Sequence, residues 1–123
     1  MEQIRILLVD DEEEFVKTLS ERIQMRNLDS TTALNGKEAM EAMNARLSDV
    51  MVLDLRMPGM DGFEVLRQVK KTYPEVQVII LTGHGSDKDE NETRRLGAFE
   101  YLKKPVGIDQ LIQTIHRAYE SKI

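Results

Sequence analysis

Val50-Met51-Val52-Leu53-Asp54-Leu55-Arg56-Met57-Pro58-Gly59-Met60-Asp61-Gly62 is the stretch on which the reading of the whole chain turns. Val50 to Leu53 are apolar without polar alternation, which predicts a strand covered on both faces, as in a parallel sheet. A carboxylate, Asp54, stands at the strand's end. The run from Pro58 to Gly62 predicts a loop, and its Pro, Gly and Asp content suits a backbone that something approaches closely. Phe63, Leu66 and Val69 then recur at helical spacing, in a stripe that stops before Tyr73-Pro74.

The same unit repeats in both directions. Upstream, Ile4 to Val9 is nearly all aliphatic, and Phe15, Leu19 and Ile23 mark a helix after it. Asp29 to Leu34 is more polar and predicts an edge strand. Asn35-Gly36 marks a turn before a helix striped by Ala39, Met40 and Met43. Downstream, Val76 to Leu81 is a β-branched strand that closes at Thr82-Gly83-His84-Gly85. After a polar segment, Phe99 to Leu102 predicts the last strand, and Leu111, Ile112, Ile115 and Ala118 the last helix. Repeated strand–helix units predict an open, doubly wound α/β sheet. Right-handed crossovers bring the C-terminal ends of its strands to one edge, where ligands bind.

Bulk properties narrow the function. The expected organisation is one domain over residues 1–123, a length ordinary for a single core. Hydrophobic residues at 41% supply that core, and charged residues at 32% supply a soluble surface. No apolar run approaches the ~20 residues that span a bilayer, and Met1-Glu2-Gln3 leads straight into a strand, so neither membrane span nor signal peptide is expected. Without cysteine there is no disulfide or thiolate site. A net charge of −5 argues against direct nucleic-acid binding, which needs clustered Lys and Arg. The expected location is cytoplasmic.

The strand ends carry the chemistry. Asp10-Asp11 ends the first strand, Asp54 the third, Thr82 the fourth and Lys103-Lys104-Pro105 the fifth. Carboxylates gathered in one crevice repel by roughly 4 kcal/mol per pair at ~4 Å and an effective dielectric of about 20. A hard, oxygen-bound divalent cation such as Mg²⁺ relieves that repulsion, with Lys104 supplying further positive charge. Such a site suits in-line phosphoryl transfer to a carboxylate, and central Asp54 is the best acceptor. Taken singly, each residue has a plainer reading. Asp10, Asp11 and the glutamates after them suit an acidic helix start, Asp54 a turn, Thr82 a strand end and Lys103-Lys104 a solvated surface. Convergence favours the site. His84 and His116 read as a loop residue and a solvent-facing helix residue, and the seven methionines as packing.

Val9-Asp10-Asp11-Glu12, the stretch from Leu53 to Gly62, Leu81-Thr82-Gly83 and Lys104-Pro105 together resemble the signature of bacterial response-regulator receiver domains. The resemblance spans essentially the whole chain. It implies a flavodoxin-like doubly wound five-stranded parallel sheet, order 2-1-3-4-5, with five helices. It implies phosphorylation of Asp54 by a histidine kinase or phosphotransfer protein. Mg²⁺ would be held by Asp10, Asp11, Asp54 and the Arg56 backbone carbonyl. Lys104 would contact the phosphoryl group, across a cis peptide to Pro105. Thr82 would swing toward the phosphate, and Tyr101 would rotate inward with it. The partners implied are that kinase and a downstream target or output domain, with phosphorylation-linked dimerisation left open. The protein would be a switch, not a turnover enzyme.

Two alternatives stand beside this reading. Hydrolases of the aspartyl-phosphate type often carry an acid two residues after the nucleophile, where this chain has Arg56. A degenerate, constitutive binding module need not have kept Asp10, Asp11, Asp54, Thr82 and Lys104. The chain departs from the family pattern in its polar segment from Ser86 to Arg95, where little apolar surface predicts a short, displaced or mobile fourth helix. Such a helix would alter the usual output face. Val106-Gly107 after Pro105 is a smaller departure.

Overall fold

The computed structural model describes residues 3–57, 59, 61–83 and 85–122. The sequence expectations for Pro58, Met60 and His84 lie outside the described residues. Ten elements alternate without exception: β1 (Arg5–Val9), α1 (Glu13–Gln24), β2 (Asp29–Ala33), α2 (Gly36–Ala45), β3 (Val50–Leu53), α3 (Gly62–Thr72), β4 (Gln77–Thr82), α4 (Asp87–Arg95), β5 (Glu100–Lys103) and α5 (Ile108–Glu120). All pairings are parallel, in the order β2-β1-β3-β4-β5. The anticipated architecture is the one observed.

Alternate side chains of the central strands feed two cores. Leu7, Val9, Met51, Leu53, Val78 and Ile80 face α2 and α3, where they meet Ala39, Met43, Val65, Leu66 and Val69. Ile6, Leu8, Val50, Val52, Ile79 and Leu81 face α1 and α5, meeting Val16, Ile23, Leu111, Ile115 and Ala118. This two-sided burial is why β1, β3 and β4 read as nearly continuous apolar runs. Polar β2 takes one edge, where the buried Ser30 hydroxyl meets that of Ser20 on α1 at 2.6 Å and lies 3.2 Å from the Ser20 carbonyl.

Helix faces differ slightly from the stripes read in the sequence. In α1 the buried residues are Val16, Ser20 and Ile23, while Phe15 and Leu19 are half-buried on the border of the same core. In α3, Val65 joins Leu66 and Val69 inside, and Phe63 is half-buried. The border residues are not misplaced. Phe15 and Leu19 line an open groove with Pro105, Val106 and Ile108 at the start of α5.

The fourth helix is the shortest of the five, with nine residues. Its one buried residue is Thr93, whose hydroxyl donates to the Glu90 carbonyl at 2.9 Å. Leu96 and Ala98, its apolar neighbours in sequence, pack on the core just beyond the helix end. Polar contacts close both termini. Ser86 and Asp89 form a reciprocal capping box, and Arg94 and Arg95 pair with Glu90 and Glu92 near the other end.

Candidate functional site

The sheet order reverses between β1 and β3, because the chain goes outward from β1 to β2 and then returns to the other side of β1. Crevices at such points are where open α/β sheets bind ligands. Asp10 follows β1 and Asp54 follows β3, and both are buried, at 4% and 6% exposure. Backbone hydrogen bonds carry the pairing past the strand ends, from Asp54 N–H to the Val9 carbonyl at 2.9 Å and from Asp10 N–H to the Ala33 carbonyl at 3.1 Å. The two carboxylates therefore sit side by side on backbone that is already fixed.

Gly62 sets the floor of the site. A Cβ there would stand 2.5 Å from the Asp54 carbonyl oxygen and 2.5 Å from the Leu55 Cα. Only a glycine lets the start of α3 press this closely on the chain just after β3, and its N–H donates to the Leu55 carbonyl at 2.9 Å. Here is the close approach that the Pro, Gly and Asp content of the loop anticipated.

Lys104 supplies the counter-charge. Its Nζ lies 2.7 Å from Asp10 Oδ2 and 3.0 Å from Glu12 Oε1, and 4.2 Å from the centre of the Phe15 ring. Burial draws the ammonium down, but the hydrogen bonds to Asp10 and Glu12 and the nearby carboxylate charges outweigh it and hold its pKa above the ordinary value. Lys104 is therefore charged at neutral pH. Burial pushes the Asp10 carboxyl up, against the hydrogen bonds from Lys104 and from the Glu12 N–H. The Lys104–Pro105 peptide is cis.

Carboxylate oxygens of Asp10, Glu12 and Asp54 lie within 4.8 Å of one another. This set has Glu12 where the sequence reading has Asp11, which is exposed and stands outside it. The reason is reach. Glu12 occupies the N-cap position of α1 without making a side-chain cap, and its longer arm turns back to Lys104 instead. Three hard oxygen donors around one ammonium leave excess negative charge, and the donor chemistry fits a small divalent cation. Arg56 places its N–H a long 3.5 Å from Asp54 Oδ1, and its guanidinium reaches Asp89 of α4 at 3.2 Å.

Thr82 and Tyr101 complete the edge. Thr82 is buried at the end of β4, and its carbonyl accepts from the Lys104 N–H at 2.9 Å. Tyr101 on β5 is 6% exposed and packs in the core shared with α2 and α3. Its phenol oxygen has no hydrogen-bond partner among the described residues, a burial that costs about 1–3 kcal/mol. Among the described residues, packing is what holds the inward ring. His116 is exposed on α5, as expected.

The sequence sets Asp10, Asp11, Asp54, Thr82 and Lys104 at one edge; in the structure Asp10, Asp54 and Lys104 come together there and Thr82 ends β4, while Asp11 is exposed outside the carboxylate group. The sequence reading misses Glu12 as a site carboxylate, Phe15 as the ring under Lys104, and the Arg56–Asp89 tether. Glu12 sits two residues after Asp10, a signal that was legible; the other two depend on long-range contacts that no local pattern announces.

Comparison with known proteins identifies the family. The family model described as "Response regulator receiver domain" matches residues 6–116. The DNA-binding transcriptional regulator NtrC of Escherichia coli K12 is 37% identical over 113 residues, which are 92% of this chain and 24% of that protein. The receiver domain of the Francisella response regulator 1452 superposes with a TM-score of 0.90 at 30% identity, covering 98% of this chain and all of that one. A CheY-like receiver domain protein from Methanospirillum hungatei JF-1 shares the fold, with a TM-score of 0.94 at 23% identity over 98% of this chain and 97% of its own. The chain spans about a quarter of the length of the curated relatives it matches.

Proposed function

This chain belongs to the response-regulator receiver domain family, and from that premise we propose that Asp54 is the residue through which it acts as a phosphorylation-dependent switch. The observation that carries the assignment is the position of Asp54 at the reversal of strand order. There it is buried beside Asp10, with the Lys104 ammonium anchored on Asp10 at 2.7 Å.

An Asp54 carboxylate oxygen attacks the phosphorus of a phosphohistidine on a kinase or phosphotransfer protein. The new O–P bond forms as the N–P bond breaks, and the histidine nitrogen keeps the electron pair. Asp54 is oriented by the backbone bond to Val9, and Gly62 keeps the loop from displacing it. Lys104, held charged, exchanges part of its bonding to Asp10 and Glu12 for a phosphoryl oxygen. Thr82 offers a hydroxyl from the end of β4.

Receiver domains bind Mg²⁺ at an acidic pocket, and here Asp10, Asp54, one of Asp11 and Glu12, and the Arg56 carbonyl would hold it. When bound, the ion offsets the negative charge of carboxylates and phosphoryl oxygens. No external substrate is turned over in this reading. The partners are a histidine kinase upstream and an output domain or target downstream. Among the described residues no helix is long and apolar enough to cross a membrane.

Intact-mass spectrometry after incubation with Mg²⁺ and acetyl phosphate tests the assignment. The expected result is a Mg²⁺-dependent gain of one phosphoryl group, lost in Asp54→Asn. A folded protein that takes no phosphoryl group from acetyl phosphate or from a panel of phosphorylated histidine kinases overturns it. So does an Asp54→Asn variant labelled as fully as the wild type.

A further inference from the structure

Two described glycines follow β4 in the loop that leads to Ser86, and they differ in what surrounds them. A Cβ at Gly83 would make only ordinary contact with the Lys104 side chain, at 3.8 and 3.9 Å. A Cβ at Gly85 would overlap the phenol oxygen of Tyr101, at 2.7 Å from its Cζ and 3.0 Å from Thr82 Cγ2. Gly85 is not in the left-handed region that only glycine adopts freely, unlike Gly59 and Gly97. The backbone does not require glycine there. What requires it is the tip of the Tyr101 ring, and the atom in the way is the far end of a side chain that can rotate elsewhere.

We infer that Gly85 is a positioning residue of the switch: by lacking a side chain it keeps open the inward berth in which Tyr101 lies beside Thr82. Filling that berth forces the ring out toward the surface between β5 and α4, so residue 85 sets which face of Tyr101 a partner meets. Three features of the structure converge on this. The ring is buried, and its phenol oxygen has no hydrogen-bond partner among the described residues. Thr82 of the site borders the same space. Gly85 itself immediately precedes Ser86, the cap of α4. The steric relation stands by itself, and its use in signalling rests on the phosphorylation reading above.

Fluorine NMR of the full chain carrying fluorotyrosine, with the Tyr101 resonance assigned through Tyr101→Phe, tests the inference without phosphorylation. In the wild type, the Tyr101 signal should show little solvent-isotope shift beside that of exposed Tyr119. In Gly85→Ala it should move and take on a solvent-isotope shift like that of Tyr119, while Gly83→Ala leaves it unchanged. A Tyr101 signal that stays buried in Gly85→Ala overturns the inference. Thermal unfolding supplies a second arm. Gly85→Ala should lower the Tm in the wild type and leave it unchanged in a Tyr101→Ala background, where the berth is empty. An equal loss in both backgrounds would mean that the loop backbone, not the ring, needs glycine, and would also overturn it. Failure of acetyl phosphate to label Asp54 would strike the functional reading alone, because neither arm depends on phosphate.

Discussion

Helices α4 and α5 flank β5 and close successive turns of the same fold, yet they are held by opposite means. Along α5, Leu111, Ile115 and Ala118 are fully buried in the core, and the N-cap Gly107 makes no side-chain bond. In α4 only Thr93 is buried, and the helix is held by a capping box and by charge pairs among Glu90, Glu92, Arg94 and Arg95. A fully buried Leu or Ile contributes roughly 1.5–3 kcal/mol. A good N-cap is worth ~1 kcal/mol and an exposed i,i+4 pair about 0.3–0.5. The stability of α5 is therefore part of the domain's own. That of α4 is local, and it can change without unfolding anything else. A switch needs such an element near its site, and the Arg56–Asp89 contact joins α4 to the loop after Asp54.

The largest effect that separates the two helices is expected at Leu111, which is fully buried. Leu111→Ala should cost about 2–5 kcal/mol and lower the Tm and urea midpoint of the whole domain in one transition. No single polar substitution on the exposed face of α4 should approach this. If Glu92→Gln, for example, lowered the Tm as far as Leu111→Ala does, the two helices would share one cooperative unit and the contrast would fail.

A smaller effect tests locality. Ser86→Ala removes the cap bond to the Asp89 N–H, 3.1 Å long, at a cost of ~1 kcal/mol. The expected signature is faster amide exchange from Asp89 to Arg95 with α5 unchanged and hardly any shift in Tm. Uniformly high protection across those residues in the wild type, equal to that of α5, would show α4 to be as firmly held as the core helices.

This contrast also explains what was legible in the sequence. Apolar runs such as Val50 to Leu53 encode a two-sided core directly, so a parallel sheet and its strand ends could be anticipated, and with them the edge that carries Asp10, Asp11, Asp54, Thr82 and Lys104; the strand order came only from the family resemblance. The weak hold on α4 was legible too, as a lack of apolar residues from Ser86 to Arg95. Its actual supports were not. Ser86 and Asp89 pair by a cap geometry that many Ser-x-x-Asp stretches never form, and Arg94 finds Glu100 across a strand boundary. Reach decides such contacts, and reach is also why Glu12 and not Asp11 closes on Lys104. In the sequence Gly85 reads only as part of a strand-end loop, because the ring it makes room for lies sixteen residues on.

Acid titration probes the smallest difference, at the residue that touches both helices. Glu100 accepts from Arg94 of α4 at 2.6 Å and lies 3.9 Å from Arg117 of α5. Burial pushes its carboxyl up, but hydrogen bonds from the Tyr101 N–H and the Arg94 guanidinium outweigh this and leave its pKa below the ordinary 4.5. A depressed folded pKa means that the folded state releases the proton more readily than the unfolded chain does. The contribution is therefore complete above 4.5 and is lost as the pH falls through the lower folded value. The pair is partly solvated, so salt should weaken it. Carbon chemical shifts followed down the titration should drift toward coil values in α4 while those of α5 hold, and Glu100→Gln should show the drifted α4 shifts already at neutral pH. If both helices drifted together, Glu100 would be holding β5 to the core and not α4 to β5, and the local character of α4 would need another origin.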